Sequence, residues 1–581
     1  MERSSMPSLV VALADRWRWL LLVLGLSTLH LVLLLVNHAH VPHTYGYDWP
    51  GHFAYLFFVD SHGYSPPPEI SAQFFNPPLY YLSVVAFQRI TGLPLVSAGQ
   101  IFNIGLALLT WGGLVAICRR LWADNLLPIL FCLLLYATNS TIYRTFGMMR
   151  PEALLLPLFV LAAWVVLLAG PRPGWRVALL SGIVAGIAFG VRQWGVFLEA
   201  ALGLWLFWML GRNYQWQIKG RFLAILALQG AAFVVVAAGF LWLRGGDLLA
   251  FNAQAQPMNW DFVTGLELRT LFTQPVRPNL DSRFWPVLYA DFWGDYWRYW
   301  WEALGRDPLP SSPATVAGLA RAMWAGLPSM GLILLGLILP ARWPPSQNEA
   351  TRWLGLFARI LIVVGLAGYL VFAVRYADAG KGDTVKSIYL VYLIPFAGIL
   401  AALALDWLRS RHTIYNWVGW GSMALLILFV LPATVYRAPN RLLSRTWSEP
   451  EVAQRLDETF GQAYTLLGYD LAQTKADEMA VTLIWRADGY TGISYKVFVH
   501  LVAEHGEVVA QSDAIPAGWQ RPTDAWMLGE IVTDVHYLTV PADVELSKAT
   551  LHVGWYGGPD NLRLTTAAGK DTVPLPLGAI P

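Results

Sequence analysis

The stretch Trp19-Leu-Leu-Leu-Val-Leu-Gly-Leu-Ser-Thr-Leu-His-Leu-Val-Leu-Leu-Leu-Val36 decides the fold. It carries no charge and is long enough, as a helix, to cross a hydrocarbon core of roughly 30 Å. It exceeds the apolar core of a secretory signal, no small-residue cleavage site follows it, and further apolar stretches come after it. It therefore reads as an uncleaved first membrane helix. Arg3, Arg16 and Arg18 precede it, whereas residues 38–78 contain no Lys or Arg. The positive-inside rule then predicts a cytoplasmic N-terminus and an external loop at 38–78.

Composition agrees with this reading. Charged residues make up 13% of the 581 and hydrophobic residues 56%, whereas soluble domains carry about 25% charged residues. That balance excludes a soluble multidomain enzyme and a disordered chain. Lys+Arg 40 against Asp+Glu 38 leaves a net charge of +2, with no basic face for nucleic acid. Cys118 and Cys132 fall inside apolar runs, which excludes a disulfide framework and a cysteine-ligated metal. Chemistry is left to carboxylates, histidines and cations. The 29 Trp, 24 Tyr and 27 Phe suit interfacial belts and also stacking on sugars.

The same rule carries down the chain. Residues 79–92 are apolar but too short to cross, and are expected as an interfacial or re-entrant helix. Spans are expected near 98–118, 126–142, 152–170, 177–191, 194–211, 221–243, 316–339, 353–374, 385–405 and 414–434. With the first helix they make about eleven crossings. Inner ends fall at Arg119, Arg120, Arg172, Arg176, Arg212, Lys219, Arg221, Arg342, Arg352, Arg409 and Arg411. The odd count places everything after Arg437 outside. The expected organisation is an all-α polytopic membrane domain over 1–440, with external loops 38–78 and 244–315, and an extracytoplasmic domain over 444–581.

That second domain alternates with period two. Tyr495-Lys-Val-Phe-Val-His-Leu-Val502, Val508-Val-Ala-Gln-Ser512, Val535-His-Tyr-Leu-Thr-Val540 and Ala549-Thr-Leu-His-Val-Gly-Trp-Tyr556 read as strands separated by Gly and Pro punctuation. Their spacing predicts a small β-sandwich.

The topology leaves Arg144, Arg150, Arg192, Arg375, Lys381 and Lys386 outside, against the charge bias. Singly, each reads equally as an anchor snorkelling to headgroups. Together they point to an outward-facing anion site, for which a lipid-linked phosphate or pyrophosphate is the natural ligand.

Several motifs frame that site. Tyr45-Gly-Tyr-Asp-Trp-Pro-Gly-His-Phe-Ala-Tyr55 holds Asp48 four residues before His52, one helical face if the segment is helical. Five of the eleven histidines (His38, His40, His43, His52 and His62) lie in this loop. A carboxylate just beyond a membrane helix and boxed by aromatics is placed to deprotonate an acceptor hydroxyl. Phe74-Phe-Asn-Pro-Pro-Leu-Tyr-Tyr81 starts the short helix with two prolines, a structural use. Tyr143-Arg-Thr-Phe-Gly-Met-Met-Arg-Pro-Glu152 sets an arginine and a carboxylate about a proline, which an internal ion pair would also explain. Gly190-Val-Arg-Gln-Trp194 breaks an apolar run at Arg192. In the long loop, Tyr289-Ala-Asp-Phe-Trp-Gly-Asp-Tyr-Trp-Arg-Tyr-Trp-Trp301 spaces Asp291 and Asp295 four apart among rings, an interfacial belt or a carbohydrate platform. Arg375-Tyr-Ala-Asp-Ala-Gly-Lys-Gly-Asp-Thr-Val-Lys-Ser-Ile-Tyr389 offers Lys381 and Lys386 as point charges for a phosphate. No Walker, dinucleotide or zinc-helix motif is present, so nucleotide hydrolysis is not expected to drive the chemistry.

In this order the motifs resemble the GT-C class of polytopic glycosyltransferases, in particular protein O-mannosyltransferases, aminoarabinose transferases and bacterial family 39 relatives. The resemblance spans about 15–435. It rests on Asp48 with His52 and Tyr55, on residues 77–81, on Arg150-Pro-Glu152, on Arg192, and on Lys386-Ser-Ile-Tyr389. The tail, with Trp519-Gln-Arg-Pro-Thr523, is similar to β-sandwich tails of some bacterial members.

The resemblance implies inverting transfer of a sugar from a polyprenyl phosphate to an acceptor hydroxyl on a glycan, protein or lipid, at the outer face of the plasma (inner) membrane. It implies Asp48 as catalytic base, supported by Glu152 or a long-loop acid. Arg150, Arg192, Lys381 and Lys386 would hold the leaving phosphate, with His52, Tyr55, Asp291, Asp295 and Tyr389 in the substrate site. No cofactor is required by the motifs; His52 with a nearby carboxylate is the candidate for holding a divalent metal ion. The family's frequent Asp-Glu pair is here Asp48-Trp49, and Asn76 replaces the Glu, His or Lys that relatives often place before the prolines. Two other classes stay open: a non-catalytic scaffold subunit, and a lipid or glycan transporter, which would carry charges at mid-bilayer depth.

Overall fold

The computed structural model describes residues 7–40, 49–68, 72–123, 125–170, 173–213, 219–245, 260–275, 280, 283–294, 296, 313–339, 349–376, 385–434, 450–475, 477–489, 495–519, 523, 526, 529–542, 544–557 and 561–577. The helices run in chain order: α1 (Pro7–His40), α2 (Trp49–His62), α3 (Leu79–Thr91), α4 (Leu95–Trp122), α5 (Leu126–Ala137), α6 (Ser140–Gly147), α7 (Glu152–Leu168), α8 (Trp175–Val191), α9 (Gly195–Asn213) and α10 (Lys219–Arg244). After them come α11 (Trp260–Thr264), α12 (Leu268–Thr273), α13 (Phe284–Gly294), α14 (Pro313–Ile338), α15 (Glu349–Tyr376), the 3-10 helix Ser387–Leu393, α16 (Ile394–Arg411) and α17 (Asn416–Leu425).

Among the described residues, seven helices are long and apolar enough to cross a membrane, and α5 with α6 form a pair bent by 50°. Three shorter apolar helices, α7, α8 and the first part of α9, complete the set. Their positions coincide with the eleven expected stretches, of which seven, or eight with the bent pair as one, have the length of a full crossing among the described residues. The bodies of these helices turn apolar side chains outward: Leu21, Leu24, Val235, Val371 and Leu428 are all more than half exposed, as lipid contact requires. α3, with 13 residues, is the expected non-spanning helix.

The expected single span at 126–142 is broken instead. The Thr138 hydroxyl donates back to the Leu134 carbonyl at 2.9 Å, while the Asn139 carboxamide caps α6 by accepting from the Thr141 amide at 3.0 Å. Such side chains compete with the backbone ladder, and here they end one helix and start the next. Charges within spans find partners on neighbouring helices. Gln229 donates to Glu199 at 3.3 Å, and Arg359 donates to the Gly336 carbonyl at 2.9 Å.

Small residues set a close helix contact. Gly182, Gly186 and Gly190 share one face of α8, against α10; a Cβ on Gly186 would lie 2.7 Å from the Val236 Cβ. Without side chains there, the two backbones approach closely enough for van der Waals packing to hold them in lipid.

Residues after 450 form two antiparallel sheets, ordered β1-β2-β3-β6 and β5-β4-β7-β8 with β9 on β7. The strands are β1 (Gln454–Phe460), β2 (Tyr464–Lys475), β3 (Glu478–Ala487), β4 (Tyr495–Val502), β5 (Val508–Ala514), β6 (Ile531–Thr539), β7 (Thr550–Gly557), β8 (Leu562–Arg563) and β9 (Val573–Pro576). Trp485 and Trp555, at 4.5 Å, centre their shared core. β1, β2 and β3 were not among the expected strands. β3 is buried in runs of three residues, so the alternation that marks a half-exposed strand is absent. The expected boundary at 440–444 lies outside the described residues.

Candidate anion site at the helix junctions

The α7 N-terminus carries the site's acid. Pro151 precedes the helix and Glu152 is its first residue, where the macrodipole favours a negative charge. Glu152 is fully buried. Arg150 Nε donates to one of its oxygens at 2.8 Å and Nη2 to the other at 3.4 Å; Arg192 Nε lies 3.3 Å from that second oxygen. Two guanidinium groups thus share one carboxylate inside the protein. A carboxylate so engaged holds the two arginines in place; Glu152, expected from sequence to support the base, is their shared counter-ion.

Arg192 reaches this position through a break between helices. α8 ends at Val191, Arg192 is extended (φ −154, ψ 145), and α9 begins at Gly195. Gly195 packs on the backbone of Phe189, leaving no room for a Cβ. The turned-out Arg192 donates to the Asn76 side-chain oxygen as well as pairing with Glu152.

Asn76 is itself built in. Gln193 and Arg244 donate to the preceding Phe75 carbonyl at 2.7 and 3.1 Å, and the Tyr55 hydroxyl donates to the Asn76 carbonyl at 3.3 Å. On α2, His52 shares a 2.6 Å hydrogen bond with the Tyr81 hydroxyl, and Tyr55 stacks on Tyr81 at 3.7 Å. His52 and Tyr55, three residues apart, therefore share one helix face; the expected pairing of Asp48 with His52 on that face lies outside the described residues.

The third cation enters from the start of a late span. Lys386 is buried; its amide donates to the Tyr369 hydroxyl at 2.7 Å, and that hydroxyl donates to the Lys386 carbonyl at 3.2 Å. Lys386 Nζ, the Arg150 guanidinium and the Arg192 guanidinium lie 5.7, 5.6 and 5.5 Å from the centre of the Tyr389 ring. Each distance is within cation–π range. Trp194 flanks the group, 5.9 Å from Arg192.

Next to it sits a second buried ion pair. Arg144 grips Asp291 of α13 with two 3.0 Å hydrogen bonds. Asp291 also accepts from the Ser387 amide at 2.7 Å and its hydroxyl at 2.6 Å. Asp291 is fully buried and is the counter-ion of Arg144, one of the cations expected on the outer side.

Of the residues singled out from sequence, His52, Tyr55, Arg150, Glu152, Arg192, Lys386 and Tyr389 are brought together, and Asp291 stands behind them. Asp48, Asp295 and Lys381 lie outside the described residues, as does the side chain of Arg375. Tyr369 was not foreseen, because nothing in its local pattern separates it from ordinary span residues, and Trp194 and Ser387 were visible only as members of quoted motifs. Asn76 and Tyr81 were visible only as motif members. Among the described residues, no group of three or more His, Cys, Asp or Glu gathers to hold a metal.

No protein-family model and no curated protein matches the chain. Solved structures similar to it include ArnT from Cupriavidus metallidurans bound to undecaprenyl phosphate, at 15% identity over 68% of this chain and 79% of that one, with a TM-score of 0.32. The apo form of that protein gives 16%, 67%, 77% and 0.31. The arabinosyltransferase EmbB from Mycobacterium smegmatis gives 10% identity over 91% of this chain and 64% of that one, with a TM-score of 0.29. Overlays this loose assign no residue correspondence.

Proposed function

We propose that this chain is an integral membrane glycosyltransferase that moves a sugar, with inversion, from a polyprenyl phosphate to an acceptor hydroxyl at the outer face of the membrane. The observation that carries the reading is the meeting of Arg150, Arg192 and Lys386 on one tyrosine ring, with Glu152 between the two arginines.

The chemistry follows from charge. As the glycosidic bond to the lipid phosphate breaks, its electron pair goes to the phosphate oxygen. Cations already oriented there stabilise the charge without reorganising. Two guanidiniums match phosphate oxygens in a planar fork and the ammonium adds a point charge. Glu152 keeps both guanidiniums in register. Tyr389 gives the cations a common face, and Tyr55 and Tyr81 form the stacked wall beside them. The acceptor hydroxyl attacks the anomeric carbon from the opposite side and loses its proton to a base; we assign that base to Asp48, on its place just before α2. His52 and Tyr55 line the approach from α2.

The test is a purified preparation, free of other proteins, given a polyprenyl-phosphate sugar and an acceptor, with release of lipid phosphate as the readout. Turnover that is abolished by Asp48→Asn, with folding intact, is the expected result. Lipid-phosphate binding without turnover under any acceptor would mark a binding scaffold, and neither binding nor turnover would overturn the reading.

A further inference from the structure

We infer that Asp291, on the long loop between α10 and α14, is a positioning residue for Lys386, so that this loop sets the geometry of the anion site without touching the ligand. The inference rests on the proposed role of Arg150, Arg192 and Lys386 as the lipid-phosphate site.

Lys386 is a flexible side chain, and its usefulness to an anion depends on where its backbone is held. Two anchors hold it. The Tyr369 hydroxyl brackets the Lys386 peptide, accepting from its amide and donating to its carbonyl. Asp291 captures the next residue, Ser387, by amide and hydroxyl together. Both anchors lead to α13. Phe284 packs against the Tyr369 ring at 5.7 Å, and Asp291 lies two turns further along the same helix. Positions seven apart share a face, so α13 presents one residue to each anchor.

Arg144 completes the device. Its two hydrogen bonds fix the plane of the Asp291 carboxylate, and it donates to the Ser387 hydroxyl at 3.0 Å. Thr141, one turn before it on α6, shares a 2.7 Å hydrogen bond with the same hydroxyl. The Asn139 carboxamide donates to the Phe292 carbonyl of α13 at 3.1 Å. The break between α5 and α6 is thus what lets α6 face α13. Asp291 acts on the site through Ser387 and Lys386.

The decisive measurement is a double-mutant cycle on full-length protein in detergent, with decaprenyl phosphate as the probe and thermal unfolding recorded alongside. Wild type is expected to bind. Asp291→Asn and Lys386→Gln are each expected to weaken binding by about tenfold, and the double variant to be no weaker than Lys386→Gln alone, because both changes remove the same contact. Ser387→Ala, which keeps the Asp291–Arg144 pair, is expected to give the same non-additive pattern and serves if Asp291→Asn does not fold. Wild-type binding with losses that simply add, or with no loss in Asp291→Asn and Ser387→Ala, overturns the inference and leaves the proposed function standing. Failure of the wild type to bind overturns both.

Discussion

Glu152 and Arg192 form an ion pair at 3.3 Å in which the carboxylate is wholly removed from solvent. They sit on different helix junctions, one at the start of α7 and the other in the break between α8 and α9. The pair closes the site from two sides, since Arg150 holds the same carboxylate at 2.8 Å.

Glu152→Gln removes the negative charge that two buried guanidiniums share. Breaking a buried pair on one side costs about 3–5 kcal/mol, so the unfolding temperature falls. Turnover is expected to drop by about 100-fold, because the arginines lose their common reference. An added lipid phosphate supplies the missing anion, and ligand-induced stabilisation is expected to exceed that of wild type. Thermal unfolding with and without decaprenyl phosphate checks this; equal stabilisation in both proteins would contradict it.

Asn76→Asp places a carboxylate beside Arg192, whose guanidinium now meets the neutral Asn76 oxygen. The new acid competes with the lipid phosphate for the same cation. The expected result is a KM for the donor raised by about tenfold, with an unfolding temperature no lower than that of wild type. Steady-state kinetics over donor concentration read this directly.

Gly186→Leu inserts a side chain where a Cβ alone would meet Val236 at 2.7 Å. Overpacking of this kind costs about 1–3 kcal/mol, and here it separates α8, which leads into Arg192, from α10. Folded yield and turnover are both expected to fall. Gly112→Ala faces open space and is expected to change neither, as size-exclusion profiles and activity will report.

In the sandwich, the Arg486 hydrogen bonds hold the Asp488 carboxyl below its ordinary pKa of 3.8, with burial opposing and Thr465 assisting. A depressed folded-state pKa gives stability that is present above 3.8 and is lost as pH falls through the folded value. Asp488→Asn is therefore expected to lower stability at pH 7, by about 0.5 kcal/mol since the pair is partly exposed. The difference should vanish in strong acid. Unfolding curves at the two pH values measure it.

Much of the site was legible because charge and hydropathy are properties of short stretches. Arg150, Arg192 and Lys386 stood out as cations at the ends of apolar runs expected on one side of the membrane, His52 as a polar group in the expected loop before residue 79, and Tyr55 and Tyr389 as members of the motifs that carry the resemblance. The strands at 495–502 and 508–512 were legible from period-two alternation, and the structure places β4 and β5 there. β3 was not, since burial on both faces erases that period.

Sequence by itself determined that the chain lives in a membrane, where its spans fall, and which helix junctions carry the cations, because insertion into lipid is decided stretch by stretch from local polarity. Only the tertiary structure decided what each charge does. Arg144 and Arg150 look alike in sequence, yet one locks Asp291 and the other lines the tyrosine shared with Lys386. Glu152 follows a proline and Asp291 lies among aromatic residues, yet each proves to be a counter-ion. The reason is physical: a buried charge is governed by the partners within about 4 Å of it, and those partners come from helices distant in the chain.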